Sequence, residues 1–307
     1  MLGCSYNAGT SNLNGCTPLM IVTQKPFQTW SMLIFLAAIW GGSFLFIRIA
    51  APSLGSIFLM AARVALAAAA LLVYALARAS LPDFRVHWNH YLVIGALNNA
   101  IPFVLIANAV IDLNASLSAI LNATTPLFTA LVAAVWLRES FGWRRGMGVL
   151  MGILGVVILV GFSPIPASTK VLLAVVQSLL AALSYGLGAV YSRTRFQGAD
   201  PMHTTLGQLI GSTILLTPLA ALSVPATQPT LVVILATLTL ALLGTSFAYL
   251  IYFRLITASG PTTAASVTFL VPFFSILWGV IFLHEPLSLG MFIGLGVILG
   301  SVKLVIS

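Results

Sequence analysis

Apolar residues run along this chain in blocks of about 20, each closed by a short cluster of polar residues, glycine or proline. At about 1.5 Å of rise per residue, such a block makes a helix as long as the ~30 Å hydrocarbon core of a bilayer is thick. The blocks are continuous rather than alternating, which excludes the in/out pattern of membrane β-strands. The first five predicted spans are Ser31–Ala50, Ser56–Ala77, Tyr91–Ile111, Ala115–Leu137 and Gly146–Gly161. The second five are Val171–Tyr191, Met202–Leu222, Leu231–Phe253, Pro261–Leu283 and Gly290–Ile306. Pro52 with Gly55 marks the first turn, and Arg78–His90 reads as a polar, basic loop.

The second group of five repeats the first. Residues 114–139 read NASLSAILNATTPLFTALVAAVWLRE and residues 260–285 read GPTTAASVTFLVPFFSILWGVIFLHE. A shift of 146 places Pro126 on Pro272, Phe128 on Phe274, Leu137 on Leu283 and Glu139 on Glu285. At a shift of 145, Trp40-Gly41 with Arg48 falls on Tyr185-Gly186 with Arg193. A repeat of this length decides the architecture before any single residue does. It divides the chain into a polar tail (1–29), a first five-helix repeat (30–162), a linker (163–170) and a second repeat (171–307).

Composition agrees with the spans. Apolar residues make up 60% of the chain and charged residues only 6%, with a mean hydropathy of +1.10; soluble domains carry about 25% charge. The fold class is therefore an all-α polytopic membrane protein of ten transmembrane helices in two five-helix repeats. The net charge of +8 does not mean nucleic acid, because no basic cluster exceeds Arg144-Arg145 with nearby Arg138. It carries topology instead. With the N-terminus in the cytosol, Lys25, Arg78, Arg85, Arg138, Arg144, Arg145, Arg193, Arg195, Arg254 and Lys303 all lie inside. Arg48 and Lys170 lie outside and Arg63 within span two, as the positive-inside rule requires. Five spans per repeat then force the second copy to enter from the opposite side, so the repeats are inverted and both termini are cytoplasmic. The tail lacks the basic and apolar regions of a signal peptide. Its Cys4 and Cys16 are expected to stay reduced in the cytosol.

Inverted halves can exchange conformations, which is the logic of alternating access with a small-molecule substrate held near the midplane. Polar side chains at that depth must find partners or face a cavity. Counting from the span ends gives Trp40, Ser43, Asn98, Asn99, Asn122, Gln177, Tyr185, Thr245, Tyr249 and Thr268 as candidate substrate-binding residues, with Thr124, Thr125, Ser184 and Ser246 at similar depth. Trp40 and Tyr185 form a candidate pair across the pseudo-axis. Pro126 and Pro272 each remove a helical hydrogen bond and are the candidate hinges. Gly148/Gly152 of span five and Gly290/Gly294/Gly296/Gly300 of span ten have small-xxx-small spacing, which predicts close packing of peripheral helices, with a dimer seam as the alternative. Arg63 has three possible partners: a substrate carboxylate, Asp112, or backbone carbonyls. A structural role is expected of it.

Rival chemistries lack residues. Ser246 has no His or Lys deep in a span to activate it, since His203 and Lys303 stand at span ends, so no catalytic residue and no metal site is assigned, and no GxxxxGK[ST] stretch is present to bind ATP. A channel-like facilitator is the alternative to a carrier, and an intramembrane enzyme the more remote one. The five acidic residues (Asp83, Asp112, Glu139, Asp200 and Glu285) all have peripheral addresses, which predicts transport without a midplane proton relay. The expected partners are a small solute and the lipid bilayer. No cofactor or nucleic acid is expected, and no oligomeric state is assigned.

Trp40-Gly41-Gly42-Ser43, Arg63 and the two proline-to-glutamate blocks resemble the EamA-type group of the drug/metabolite transporter superfamily, over residues 31–306. The resemblance implies ten helices, a bacterial inner membrane and transport of amino acids or other small metabolites, often outward. It also implies a central cavity lined by spans one, three, four, six, eight and nine. The second copy departs from the first, with Gln208 at the place of Arg63 and Tyr185 at the place of Trp40.

Overall fold

The computed structural model describes residues 26–82, 84–166 and 168–306; the polar tail up to residue 25 lies outside the described residues. These residues form helices and turns, with no strand among them. Spans one and two are Pro26–Leu54 and Ser56–Ala77. Span three is built from Phe84–Gly95, a π-helical turn Ala96–Ala100 and Ile101–Asp112. Span four is Ala115–Asn122 followed by Thr125–Trp136, and span five is Trp143–Gly161. Spans six and seven are Thr169–Arg195 and Pro201–Ala221. Span eight is Leu231–Ala241, a second π-helical turn Leu242–Phe247 and Ala248–Ser259. Span nine is Pro261–Ala265 with Val267–Leu283, and span ten is Leu289–Ile306. Among the described residues nine helices are long and apolar enough to cross a bilayer, and the apolar helix Leu289–Val305 makes the tenth.

The helices extend beyond their apolar blocks. Span one starts five residues before the predicted Ser31 and carries Pro52 inside its last turn, so Gly55 alone (φ 70°) makes the corner. The predicted loop 78–90 is shorter than expected, because Phe84–His90 already belong to span three. Those residues tolerate helix and place an exposed Trp88 at the level where aromatic belts sit. Side-chain caps set several helix starts: Asn114 accepts from Leu117 N, Asp200 from Met202 N and Ser168 from Val171 N.

The repeat is visible in backbone detail. The two π-helical turns start 146 residues apart, at Ala96 and Leu242. Arg138 and His284, also 146 apart, both adopt left-handed conformations (φ 55° and 52°). Gly41 packs span one onto span nine so tightly that a Cβ would stand 2.7 Å from Phe274 Cβ and 2.8 Å from Ser275 N. Gly186 does the same between spans six and four, at 2.9 Å from Thr129 N. Each half thus lends its first helix to the other half's fourth. Spans five and ten pair outside this centre. A Cβ at Gly148 or Gly155 would strike span ten, and one at Gly294 would strike Leu159 of span five. Gly296 and Gly300 have nothing near them, so only part of the predicted glycine seam is used.

The proline expectation divides. Span four breaks at Ala123–Thr124, immediately before Pro126. Pro272 lies inside an unbroken helical segment, and span nine is interrupted at Ser266 instead.

Candidate substrate site and the two helix corners

A π-helical turn widens the helix by one residue and turns neighbouring side chains toward the same region, which is why such turns recur at functional sites. Here there are two of them, at equivalent places in the two repeats, and both pack against span two. On the first, Asn98 Nδ2 donates to Gln208 Oε1 at 3.2 Å, and Leu97 O accepts from Ser184 Oγ at 2.8 Å. Gly188 makes room for this, since a Cβ there would collide with the Asn98 amide. On the second, Thr245 Oγ1 donates to Leu240 O at 3.0 Å, and Ser246 Oγ donates to Ala67 O at 3.2 Å. Two carbonyls, Leu97 O and Ala67 O, are thereby tied to neighbouring helices, and Leu240 O is held within span eight.

Arg63 Nε donates to Thr245 Oγ1 at 3.0 Å, and its guanidinium lies 3.9 Å from the Phe103 ring centre. The residue is 7% exposed. It interacts electrostatically with Tyr185 and Tyr249, and Gln208 is a side-chain neighbour of the Tyr249 hydroxyl. The repeat mates Arg63 and Gln208 therefore face one small volume, together with Asn98, Thr245 and the two tyrosines. Arg63 pairs with no acid and caps no carbonyl among the described residues. Carbonyl capping falls to Arg48, whose Nη1 donates to Val110 O, to Ile111 O at 2.6 Å and to Leu113 O at 3.1 Å.

Of the sequence candidates, Trp40, Asn98, Tyr185, Thr245 and Tyr249 come together. Trp40 meets Tyr249 edge-on at 6.3 Å and Tyr252 at 5.5 Å. Its aromatic neighbours are thus on span eight, whereas Tyr185 stands beside Arg63 and Tyr249. Ser43 adjoins the second π-helical turn, where a Cβ on Gly244 would stand 3.0 Å from its hydroxyl. Asn99 is fully buried, and neither end of its amide has a partner. Asn122 sits at the break in span four, with a buried, unpartnered Oδ1. Gln177 makes no hydrogen bond among the described residues, and Thr268 is exposed with its hydroxyl returned to Ala265 O. Depth along a span brought both onto the candidate roster, yet neither joins the cluster. Gln208 joins the cluster without being among the sequence candidates, and the signal for it is its register with Arg63.

A second set of polar contacts closes one end of the bundle. Odd-numbered spans run from a near face, where Pro26 lies, to a far face. At the far face Glu285, 8% exposed, accepts from Ala115 N (2.7 Å), Ser116 N (3.1 Å) and Ser116 Oγ (2.6 Å). It thereby caps the first turn of span four, where the helix dipole favours an anion. Arg48 caps the last carbonyls of span three a few residues away, and Ser275 Oγ donates to Ala115 O at 3.1 Å. At the near face the repeat mates behave differently. Arg193 Nη1 donates to Glu139 Oε1 at 2.7 Å, and Arg145 stands 3.5 Å from Glu139 Oε2. The mates of the far-face latch pair with each other and leave the corner between spans eight and nine uncapped by either, among the described contacts.

Comparison with known proteins places this geometry. The EamA-like transporter family matches residues 28–161 and again residues 172–307. The chain is 29% identical over 282 residues to an uncharacterized transporter, YvbV, of Bacillus subtilis (strain 168), covering 91% of each chain. It is 27% identical over 229 residues to Protein PecM of Dickeya dadantii (strain 3937), covering 74% of this chain and 76% of that one. It is 27% identical over 296 residues to a chloroplastic WAT1-related protein of Arabidopsis thaliana, covering 92% of this chain and 70% of the relative. One crystal structure superposes with a TM-score of 0.63 at 17% identity over 91% of this chain and 96% of that one, which supports the fold alone.

Proposed function

From the premise that this chain belongs to the EamA-like transporter family, a multi-pass membrane protein with two copies of the family's unit, we propose that it is a carrier working by alternating access. Its solutes are small metabolites, amino acids or related compounds, moved outward across a bacterial inner membrane with both chain ends in the cytoplasm. The observation that carries this reading is the unequal use of equivalent residues. Arg48 and Glu285 latch helix ends at the far face, while Arg193 and Glu139 pair with each other at the near face. In an inverted repeat, the mirror arrangement is a second state of nearly the same energy. There Arg193 and Glu139 would cap the corner of spans eight and nine, and Arg48 and Glu285 would pair. The charge bias supports a cytoplasmic near face, which makes the latched side the external one.

Driving force follows from where the carboxylates lie. Asp112 is exposed at the far end of span three, Asp200 caps span seven, Glu139 is in the near-face ion pairs and Glu285 is in the far-face latch. None sits beside the central cluster, which supports facilitated diffusion or exchange down the solute's own gradient. The test is counterflow in proteoliposomes at equal internal and external pH, using radiolabelled amino acids. Saturable uptake accelerated by unlabelled solute on the trans side is the expected result. Single-channel currents without trans-acceleration would favour a pore. Uphill accumulation driven only by a pH step, and abolished by Glu139→Gln or Glu285→Gln, would refute the coupling.

A further inference from the structure

We propose that Arg63 is the receptor for the carboxylate of the transported solute, whose apolar body lies against Trp40, Tyr185 and Tyr249. The inference rests on the carrier reading and goes further by naming the group that is recognised. A guanidinium this deep in a membrane bundle costs several kcal/mol unless its charge is met. Here a hydroxyl and a ring face meet part of it, and no carboxylate meets the rest. Every described acidic side chain is engaged or exposed at one of the two faces, as set out above. The repeat offers no compensation either, because the mate of Arg63 is the neutral Gln208. The centre therefore holds one uncompensated positive charge.

The geometry selects the shape of the missing partner. Nε is committed to Thr245, and Nη1 and Nη2 donate to no protein group among the described residues. Two parallel N–H donors in one plane match the two oxygens of a carboxylate. One cation balances one negative charge, which favours a monocarboxylate over a phosphate dianion. Trp40, Tyr185 and Tyr249 are each only partly buried although they lie at mid-span, so part of each side chain is open to whatever enters. Gln208 and Asn98 supply amide groups beside Tyr249, suited to a further polar substituent.

The test separates this role from a purely structural one. The full-length protein is purified in detergent, and its thermal unfolding is followed with phenylacetate, 3-phenylpropionate and L-phenylalanine, and with the amide of each. At least one carboxylate should raise the unfolding temperature in a saturable way, while its amide does not. Arg63→Met should weaken that binding by roughly thirtyfold or more, the scale for removing one partner of a buried charge pair. Arg63→Lys should retain part of it. The ligand-free Arg63→Met protein should unfold no earlier than wild type, since an unpaired buried charge has been removed. Equal stabilisation by carboxylates and amides, no stabilisation by any carboxylate, or an undiminished shift in Arg63→Met would each overturn the assignment. If Arg63→Met unfolds too early to be read, Thr245→Val, which frees Nε but keeps the charge, must still discriminate carboxylate from amide. Binding in detergent requires no transport, so failure of counterflow with binding intact would count against the carrier reading alone.

Discussion

Glu285→Ala should unlatch the far face. In the structure the carboxylate accepts two backbone N–H bonds and one hydroxyl bond at the start of span four. Bonds to a charged acceptor contribute about 1.5–3 kcal/mol each in isolation, and an anion at a helix N-terminus up to ~2 kcal/mol. These contributions overlap, and Asn114 still caps Leu117 N in the variant. A net loss of about 2–3 kcal/mol for the latched state is the reasonable scale. At 1.4 kcal/mol per tenfold, the balance between latched and open far face shifts by roughly 30- to 150-fold. The reporter is a single cysteine at Ser118, which is 1% exposed and whose hydroxyl has no partner, in a Cys4→Ser/Cys16→Ser background. Its labelling by a membrane-impermeant thiol reagent from the external side should accelerate by a factor within that range. Glu139→Ala should not accelerate it, because the near-face pairs are partly exposed and contribute about 0–1 kcal/mol each. A lower unfolding temperature with unchanged labelling would mean that Glu285 stabilises the helix start without governing access, and the latch argument would be wrong.

Three further outcomes are expected. Gly41→Val and Gly186→Val should each cost at least 1–3 kcal/mol, roughly the overpacking scale, and lower the recovery of monodisperse protein, because backbone rather than flexible side chain lies within 3 Å. Gly296→Val and Gly300→Val should not, since nothing crowds those positions. Asn98→Ala, Asn99→Ala and Tyr249→Ala should reduce transport per folded molecule while leaving protein amount in the membrane near normal; loss of folding with normal specific transport would assign them to packing. Cysteines at positions 84 and 142 should be labelled only from the cytoplasm and one at position 227 only from outside; the reverse would invert the assignment of faces.

Much of the architecture was legible because bilayer thickness fixes helix length and a 146-residue offset fixes the repeat. The Gly41 and Gly186 contacts were foreshadowed by the matching Trp-Gly and Tyr-Gly pairs. Direction around a helix was harder to read. Depth alone could not separate Thr245, which meets Arg63, from Thr268, which is exposed and returns its hydroxyl to Ala265 O. The π-helical turns left no local signature, yet they decide what Asn98 and Thr245 touch. Arg63 was expected to be structural because pairing with Asp112 or capping carbonyls was open to it. Arg48 takes the carbonyls at the end of span three and Asp112 stays exposed there, so neither expected structural partner meets Arg63. Glu285 read as a span-closing charge; its burial depends on where span four begins in space, which no pattern within span nine reveals.

The close contact between spans five and ten also bears on how the protein is made. Gly155 and Gly294 lie on opposite sides of one interface, but roughly 140 residues separate them along the chain. At about 5–20 residues per second of synthesis, span five waits on the order of 7–30 s for its partner to emerge. During that interval Gly152 already packs on Leu127 of span four, but Gly148 and Gly155 lack the span-ten side chains that will cover them. The nascent chain can therefore complete neither half by itself, and folding of the pair is held back until the last helix is in the membrane.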